Sequence, residues 1–446
     1  MNRSRLIHLN GNRKHSNSLM PGDSYDTDVL VVGAGPAGMA VACAAAAGGR
    51  RVLIVDDNPA LGGQIWRGED KRSAQSTARS WFDKVARADI ELVRGARVIS
   101  QPRAGVLIAE TANGSCELRF RKLILATGAR ERFLPFPGWT LPNVMGAGGL
   151  QASVKGGLPI TGKKVIVAGS GPLLLAVAAY LRKCGAEILL IAEQASPARL
   201  LRFGLGLMRQ PSRAAQGFAL NRALKGIPYY AGCWVVAAEG GPKLESIQLR
   251  HGHERWSVQC DYLACGFHLV PNLELTSLLG CDVREGIVRV DDFQETSVPD
   301  VHCAGEPTGI GGLELSLIEG QIAGLAAVGK RDEALSLFRA REKLRSFARL
   351  LNRTFSIRNE LKALPTDDTI VCRCEDVTFA RLRGHDSWRA AKLQARCGMG
   401  PCQGRICGPA TEFLFDWQPE SVRPPIFPAR LDSLRRVVKA APGSGI

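Results

Sequence analysis

A short apolar run that breaks on glycine and resumes as an alanine-rich helix constrains this chain more than any other feature. Asp28-Val29-Leu30-Val31-Val32 has the β-branched, continuously apolar character of a strand buried on both faces. Gly33-Ala34-Gly35-Pro36-Ala37-Gly38 follows, then a helix from Met39, then Arg51-Val52-Leu53-Ile54-Val55 closed by Asp56. Gly33 permits a tight turn. Gly35, having no Cβ, lets a pyrophosphate approach the backbone, and Gly38 lets helix and strand pack closely. The helix N-terminus, with Pro36 and Ala37 in its first turn, offers free N–H groups and a partial positive charge to phosphates. Asp56 sets a carboxylate at the end of the second strand, where ribose hydroxyls lie in such units. A glycine triplet alone is a weak signal. Strand, turn, helix and acid in this order predict a bound dinucleotide.

The same grammar recurs. Lys164-Val165-Ile166-Val167-Ala168 is a strand, Gly169-Ser170-Gly171-Pro172-Leu173-Leu174 a turn, and a helix leads to a strand that ends at Glu193. Two nucleotide folds in one chain are expected. Leu174 stands where the third glycine or alanine belongs. A leucine there pushes helix and strand apart or blocks the pyrophosphate. The second unit therefore reads either as a site for NAD or another adenine nucleotide, with Glu193 on the ribose, or as a relic of duplication. Between the units, Lys122-Leu123-Ile124-Leu125-Ala126 is a buried strand ending in Thr127-Gly128. Later, Val301-His302-Cys303-Ala304 ends in Gly305-Glu306. The fold class is α/β: two Rossmann-like dinucleotide-binding folds plus a small helical cysteine-bearing domain. The expected divisions are a disordered tail over 1–27, a first fold over 28–160, a second over 161–290 and a return segment over 291–330. A helical linker over 331–365, the small domain over 366–412 and an extended tail over 413–446 complete the chain.

Residues 1–27 are polar and basic, without the apolar core of a signal peptide. The apolar runs over 29–47 and 165–181 each contain a glycine-rich break, so strand, turn and buried helix explain them better than a membrane span. A cytoplasmic protein is expected. With a net charge of +16, basic residues thicken over 199–225 and 330–362. They read as solvated helical surface, or as a docking face for an acidic partner or for the anionic inner face of a membrane. They carry no signature of a nucleic-acid module, and none is expected to bind. His251, His253, His268 and His302 lie in loop or strand contexts that suit ordinary packing or solvent.

Of 13 cysteines, five fall between Cys372 and Cys407. They read Cys372-Arg373-Cys374, then Cys397, then Cys402-Gln403-Gly404-Arg405-Ile406-Cys407. In a cytosolic chain such density points to a metal before disulfides. Four thiolates suit zinc or a [2Fe–2S] cluster, although neither pair has the spacing that zinc ribbons prefer.

With Gly62-Gly63-Gln64-Ile65-Trp66-Arg67, Ala126-Thr127-Gly128 and Ala304-Gly305-Glu306, residues 25–325 resemble the two-dinucleotide-fold flavoproteins. The resemblance implies FAD in the first fold, with Gly63, Gln64, Ala126, Thr127 and Gly128 beside it and Gly305-Glu306 near its ribityl or phosphate groups. The common aspartate at that last position is here a glutamate, one methylene longer. It implies a nicotinamide or other adenine nucleotide in the second fold, held by Gly169, Gly171 and Glu193. Flavin disulfide reductases carry a redox cysteine pair, but Gln64-Ile65-Trp66-Arg67-Gly68 and the stretch from Pro142 to Ile160 contain no cysteine, so electrons must leave by another route. The cysteine segment resembles the bacterioferritin-associated-ferredoxin-like domain, which implies that Cys372, Cys374, Cys402 and Cys407 hold a [2Fe–2S] cluster and that Cys397 is a bystander or a substitute ligand. Together the three parts resemble the larger subunits of opine oxidase, D-hydroxyproline dehydrogenase and hydrogen cyanide synthase. That resemblance implies a chain that transfers electrons within a complex. It also implies a partner flavoprotein of amino-acid-oxidase type that oxidises a C–N bond, and a small ferredoxin-like third component. A stand-alone NADH-dependent flavin reductase and a non-catalytic scaffold are the other readings.

Overall fold

A computed structural model describes residues 24–68, 76–208, 210–418 and 422–440. Its first layer is a seven-stranded sheet. Ile90–Arg94, Val52–Asp56, Ser24–Val32 and Gly114–Leu125 run parallel in that spatial order. Val106–Thr111 and Arg97–Arg103 extend it as an antiparallel ribbon. Val301–Cys303 pairs with the last residues of Gly114–Leu125. The register sets Val32 beside Leu125 and Leu125 beside Cys303. The Gly33 turn, Ala126-Thr127 and Gly305-Glu306 therefore emerge at one edge, the carboxyl ends where open α/β sheets bind ligands.

The second unit is a five-stranded parallel sheet ordered Tyr229–Ala231, Glu187–Glu193, Lys164–Ser170, Tyr262–Phe267, Val144–Gly146. An antiparallel three-stranded sheet, Cys233–Glu239, Ser246–His251 and Glu254–Gln259, packs its apolar side chains onto it. Among the described residues, no helix is long and apolar enough to cross a membrane.

Four boundaries differ from the sequence-based expectation. Residues 24–27, placed in the tail, open the first strand, with Ser24 to Thr27 opposite Glu117 to Phe120. Their polar side chains hide a strand whose backbone pairs early. The rest of that tail lies outside the described residues. Val144–Gly146 and the helix Ala147–Lys155 join the second sheet rather than the first; three residues are too few to carry a period. The return to the first unit begins well before 291: Leu269–Pro271 pairs with Ala129–Glu131, and Leu275 and Cys281 lie in the first unit's core. Finally, the cysteine domain and the tail after it are more helical than expected. Cys407–Phe415 runs past 412, and Leu431–Ala440 is a helix packed on the Arg97–Arg103 and Gly114–Leu125 strands. That last helix packs Val437 against Ile99 and Ile108 and is fixed by arginines at its start and middle. Arg430 donates to the Ala112 carbonyl and Arg436 to that of Ser115.

The helix Leu313–Ala327 holds the return segment against the helix Pro36–Ala47 through glycine. A Cβ on Gly320 would lie 2.4 Å from the Ala37 carbonyl oxygen, and one on Gly324 would lie 2.5 Å from that of Val41. The helices touch main chain to main chain, and no side chain fits between them. Gly324→Val should therefore destabilise the protein by at least ~1–3 kcal/mol, the usual range for overpacking, measured by denaturant unfolding. A change within ~0.5 kcal/mol, typical of surface substitutions, would show that the two helices are free to separate.

Candidate functional site

The first glycine turn is built as expected and left open. Gly33 has φ +111°, and a Cβ there would lie 2.1 Å from the Ala126 carbonyl oxygen. A Cβ on Gly38 would lie 1.8 Å from the Gly33 carbonyl oxygen, so helix and strand meet at van der Waals limits. Gly35 is different: the nearest atom to an added Cβ is the Cα of Gly63, 3.9 Å away. A cradle floored by Gly35 and walled by another glycine's backbone remains at the start of the helix Pro36–Ala47, which no side chain caps. This is the space and polarity a pyrophosphate needs. Pro36 and Ala37 form the first turn of that helix, and Gln64 is exposed at the rim. Trp66 instead lies buried against Phe82, ring centroids 5.8 Å apart, and anchors the loop.

Asp56 accepts from Ala34 N at 2.5 Å, Asn58 N at 2.7 Å and Asn58 Nδ2 at 2.8 Å. Burial pushes its pKa up, and these hydrogen bonds pull it back down. The carboxylate thus holds the turn while the residue stays partly exposed. Glu306 accepts from Gly311 N and Gly312 N at 3.0 Å each, at the start of the helix Leu313–Ala327, and burial raises it to about 7. Its two oxygens brace the loop that follows Gly305. The extra methylene relative to aspartate provides that reach. Thr127 Oγ1 donates to the Asn272 carbonyl at 2.8 Å, Asn272 Nδ2 donates to the Thr127 carbonyl at 2.9 Å, and Asn272 N donates to that of Gly128 at 3.0 Å.

Glu193 in the second turn repeats the pattern, accepting from Gly171 N at 2.7 Å and Ala195 N at 2.8 Å. It is 1% exposed, and burial raises it to about 7. Gly169, at φ +134°, passes so close to the neighbouring strand that a Cβ would meet the Gly266 carbonyl oxygen at 1.8 Å.

In the small domain, Cys372 ends the strand Ile370–Cys372 and Cys407 begins the helix Cys407–Phe415. The Sγ atoms of Cys372, Cys397 and Cys407 lie within 4.8 Å of one another, all buried. Hydrogen bonds from Cys397 and then Cys407 hold the Cys372 thiol far below its ordinary range. A cavity of about 140 Å³ opens beside them, lined by Cys372, Cys374, Cys402 and Cys407 with Arg373, Ile406, Phe133 and Trp139. The four expected ligands thus face one space. Cys397 touches the group from the buried side and is closer than a bystander's place implied. A Cβ on Gly400 would lie 2.4 Å from Cys374 Cβ, so the Gly398-Met399-Gly400 loop needs glycine there to bring the two cysteine pairs together.

A side-chain bridge that sequence reasoning missed joins the two sites. Arg130, three residues after Thr127, donates to Asn272 Oδ1 at 2.7 Å and to the Arg405 carbonyl at 3.0 Å, and pairs with Glu274 at 3.0 Å. Arg405 lies between Cys402 and Cys407 and also faces Glu274, at 3.6 Å. These partners are distant in sequence, and no motif marks them. His302 is buried, with neither ring nitrogen hydrogen-bonded among the described residues and its pKa lowered by burial to about 4. It packs as a neutral ring.

Residues 27–321 match the family described as pyridine nucleotide-disulphide oxidoreductase. The chain belongs to this family. It is an FAD-dependent oxidoreductase of a family that binds FAD and NAD(P), and the cysteine group marks a candidate metal centre. This oxidoreductase is 31% identical to the HcnB subunit of hydrogen cyanide synthase from Pseudomonas aeruginosa, over 85% of this chain and 90% of that one. It is 30% identical to an opine oxidase subunit from Agrobacterium tumefaciens, over 93% of this chain and 92% of that one. In fold it is similar to L-proline dehydrogenase from P. horikoshii, with a TM-score of 0.64 at 16% identity, covering 93% of this chain and 81% of that one.

The open floor at Gly35 yields a sharp expectation. Gly35→Val should keep the fold, since an added Cβ meets no protein atom closer than the Gly63 Cα at 3.9 Å and φ is −72°. It should lose the flavin, because the branched side chain fills the pyrophosphate cradle. Flavin content per folded chain, read by absorbance beside circular dichroism, checks this. Full occupancy in the folded variant would remove Gly35 from the site.

Proposed function

We propose that this oxidoreductase is the electron-relaying subunit of a heteromeric dehydrogenase or oxidase. In this reading a partner flavoprotein subunit of amino-acid-oxidase type oxidises the C–N bond of an amino-acid-like substrate, an opine or D-hydroxyproline. A small ferredoxin-like subunit completes the complex. The bridge from Thr127 through Asn272 and Arg130 to Arg405 carries the proposal, because it fastens the flavin turn to the cysteine-lined cavity. Bound in these places, FAD supplies a carrier that takes electrons in pairs and yields them singly, and a [2Fe–2S] cluster supplies a one-electron relay.

The protein's own residues do the rest. Gly33, Gly35, Gly38 and Asp56 bind and orient the dinucleotide. Cys372, Cys374, Cys402 and Cys407 hold the cluster, and Cys397 packs behind them. Phe133 and Trp139 wall one side of the cavity with aromatic surface. Arg130 and Arg405, both paired with Glu274, fix the separation of the two centres. C–N oxidation to an imine releases two electrons and two protons, and water then hydrolyses the imine. The electrons reach this chain; the protons and the hydrolysis stay with the subunit that binds the substrate.

The opine reading is supported by two opine oxidase subunits matched over 93% of the chain, with a third matched over 85%, as the cyanide synthase subunit is. Action on glycine in a hydrogen cyanide synthase is the second reading, supported by the 31% identity. The stretch over 194–238 contains no Asp or Glu, carries Arg199, Arg202, Arg213, Arg222 and Lys225, and exposes Leu201, Leu205, Met208 and Phe218. An acid-rimmed apolar face on the partner subunit fits it. All 13 cysteines are free, which suits a reducing cytoplasm.

The test is dye reduction with opines, D-hydroxyproline, D-amino acids and glycine, by the flavin-loaded chain alone and by the co-purified complex. The chain alone should be idle and the complex active on one substrate class, with assembly weakening at high salt. Turnover by the isolated chain at the complex's rate would move the substrate site into this chain.

A further inference from the structure

The two glycine turns share a backbone and differ in surroundings. Gly35 is partly exposed, and what faces it is the main chain of Gly63. Gly171 is buried, and what faces it is a side chain: Phe355 Cγ lies 3.9 Å from the position of an added Cβ. Phe355 follows the helix Phe338–Thr354 and begins a short segment, 355–358, that crosses the carboxyl ends of the strands Lys164–Ser170 and Glu187–Glu193.

That segment is fastened at the positions a dinucleotide would use. Ser170 Oγ donates to the Phe355 carbonyl at 2.8 Å. Gln194 Nε2 donates to Ser170 Oγ at 2.8 Å and to the Ser356 carbonyl at 3.2 Å, while Gln194 Oε1 accepts from Arg358 N at 3.2 Å. Arg199 reaches over to donate to the Ser356 carbonyl at 3.1 Å and Oγ at 3.0 Å. Phe355 is 4% exposed and meets Phe203 edge-on at 5.2 Å. In a dinucleotide fold the second glycine faces the pyrophosphate, and the acid at the end of the second strand faces the ribose. Here the ring sits over the first of these. Glu193 and Gln194, 1% and 0% exposed, are sealed beneath the backbone of the same segment. Leu174, in place of the third glycine, is buried in the core beneath the turn.

We infer that residues 355–358 are a built-in occupant of the second dinucleotide site, so that this oxidoreductase accepts no electrons from NADH or NADPH. A nicotinamide can pass a hydride to the flavin only while its own nucleotide is anchored. The anchor at Gly171 is filled by an aromatic ring, and the hydrogen-bonding groups around it are satisfied within the chain. Displacing the segment would expose Phe355 to water and break the bonds to Ser170 and Gln194 together. Electrons therefore enter from a donor that needs no such anchor, the reduced flavin of a partner subunit. The inference rests on the reading that the first turn holds FAD.

The experiment uses the full flavin-loaded chain and the co-purified complex under anaerobic conditions. With millimolar NADH or NADPH the flavin absorbance should stay oxidised, while light-driven reduction bleaches it in the same cuvette. Titration with NADH, NAD and ATP should give no saturable binding, and the Arg358 amide should keep its protection from hydrogen exchange when they are added. Flavin bleaching by NADH at the rate of turnover, saturable binding of any of these nucleotides at micromolar concentration, or loss of Arg358 protection on their addition would overturn the inference. A chain that purifies without flavin would instead contradict the flavin reading, and the binding titration would still decide this one.

Discussion

The site depends on backbone passing backbone with no Cβ between. At Gly33 the first strand turns against the Ala126 carbonyl; at Gly38 the helix presses on the Gly33 carbonyl; at Gly169 the second turn presses on that of Gly266. Each approach is shorter than any side chain allows. Substituting any of them would separate the strand ends that must act together. The same device, at Gly320 and Gly324, clamps the return helix onto the flavin-side helix and so brings Gly305-Glu306 to the edge where Gly33 and Ala126 already lie. Register and close packing place these groups side by side.

Carboxylates then stiffen what the glycines allow. Asp56, Glu193 and Glu306 each accept backbone N–H groups of a glycine-rich turn or loop. Burial raises all three, Glu193 and Glu306 to about 7, so each is held at some cost to its charged form. The benefit is preorganisation: hydrogen bonds from within the chain hold each turn in shape. At the first turn that shape encloses open space, and at the second it encloses Phe355. The difference between the two lies in what the chain lays over the turns rather than in the turns themselves.

What was legible in the sequence follows from this. The glycine turns, the acids after them and the cysteine pairs are local patterns, and each reports a steric or chemical need within a few residues. The structure brings Cys372, Cys374, Cys402 and Cys407 around one cavity, and sets Cys397 within 4.8 Å of Cys372 and Cys407. What was not legible depends on residues far apart in the chain. The strand Val144–Gly146 has no period of its own and belongs to the second sheet only through Tyr262–Phe267. The helix Leu431–Ala440 is fixed by arginines that bond to carbonyls some 320 residues away. Phe355 looks like an ordinary helix-end aromatic until Ser170 and Gln194 are seen to bind its segment. Leu174 alone hinted at the change in the second turn.

The central claim is that electrons pass from flavin to cluster inside this one chain, across the Asn272–Arg130–Arg405 bridge. Photoreduction of the isolated chain without oxygen, followed by low-temperature electron paramagnetic resonance, tests it most directly. The account predicts the rhombic signal of a reduced [2Fe–2S] centre in the wild type, retained in Cys397→Ser and absent from Cys407→Ser. A flavin that bleaches fully while no iron signal forms in the wild type would contradict it.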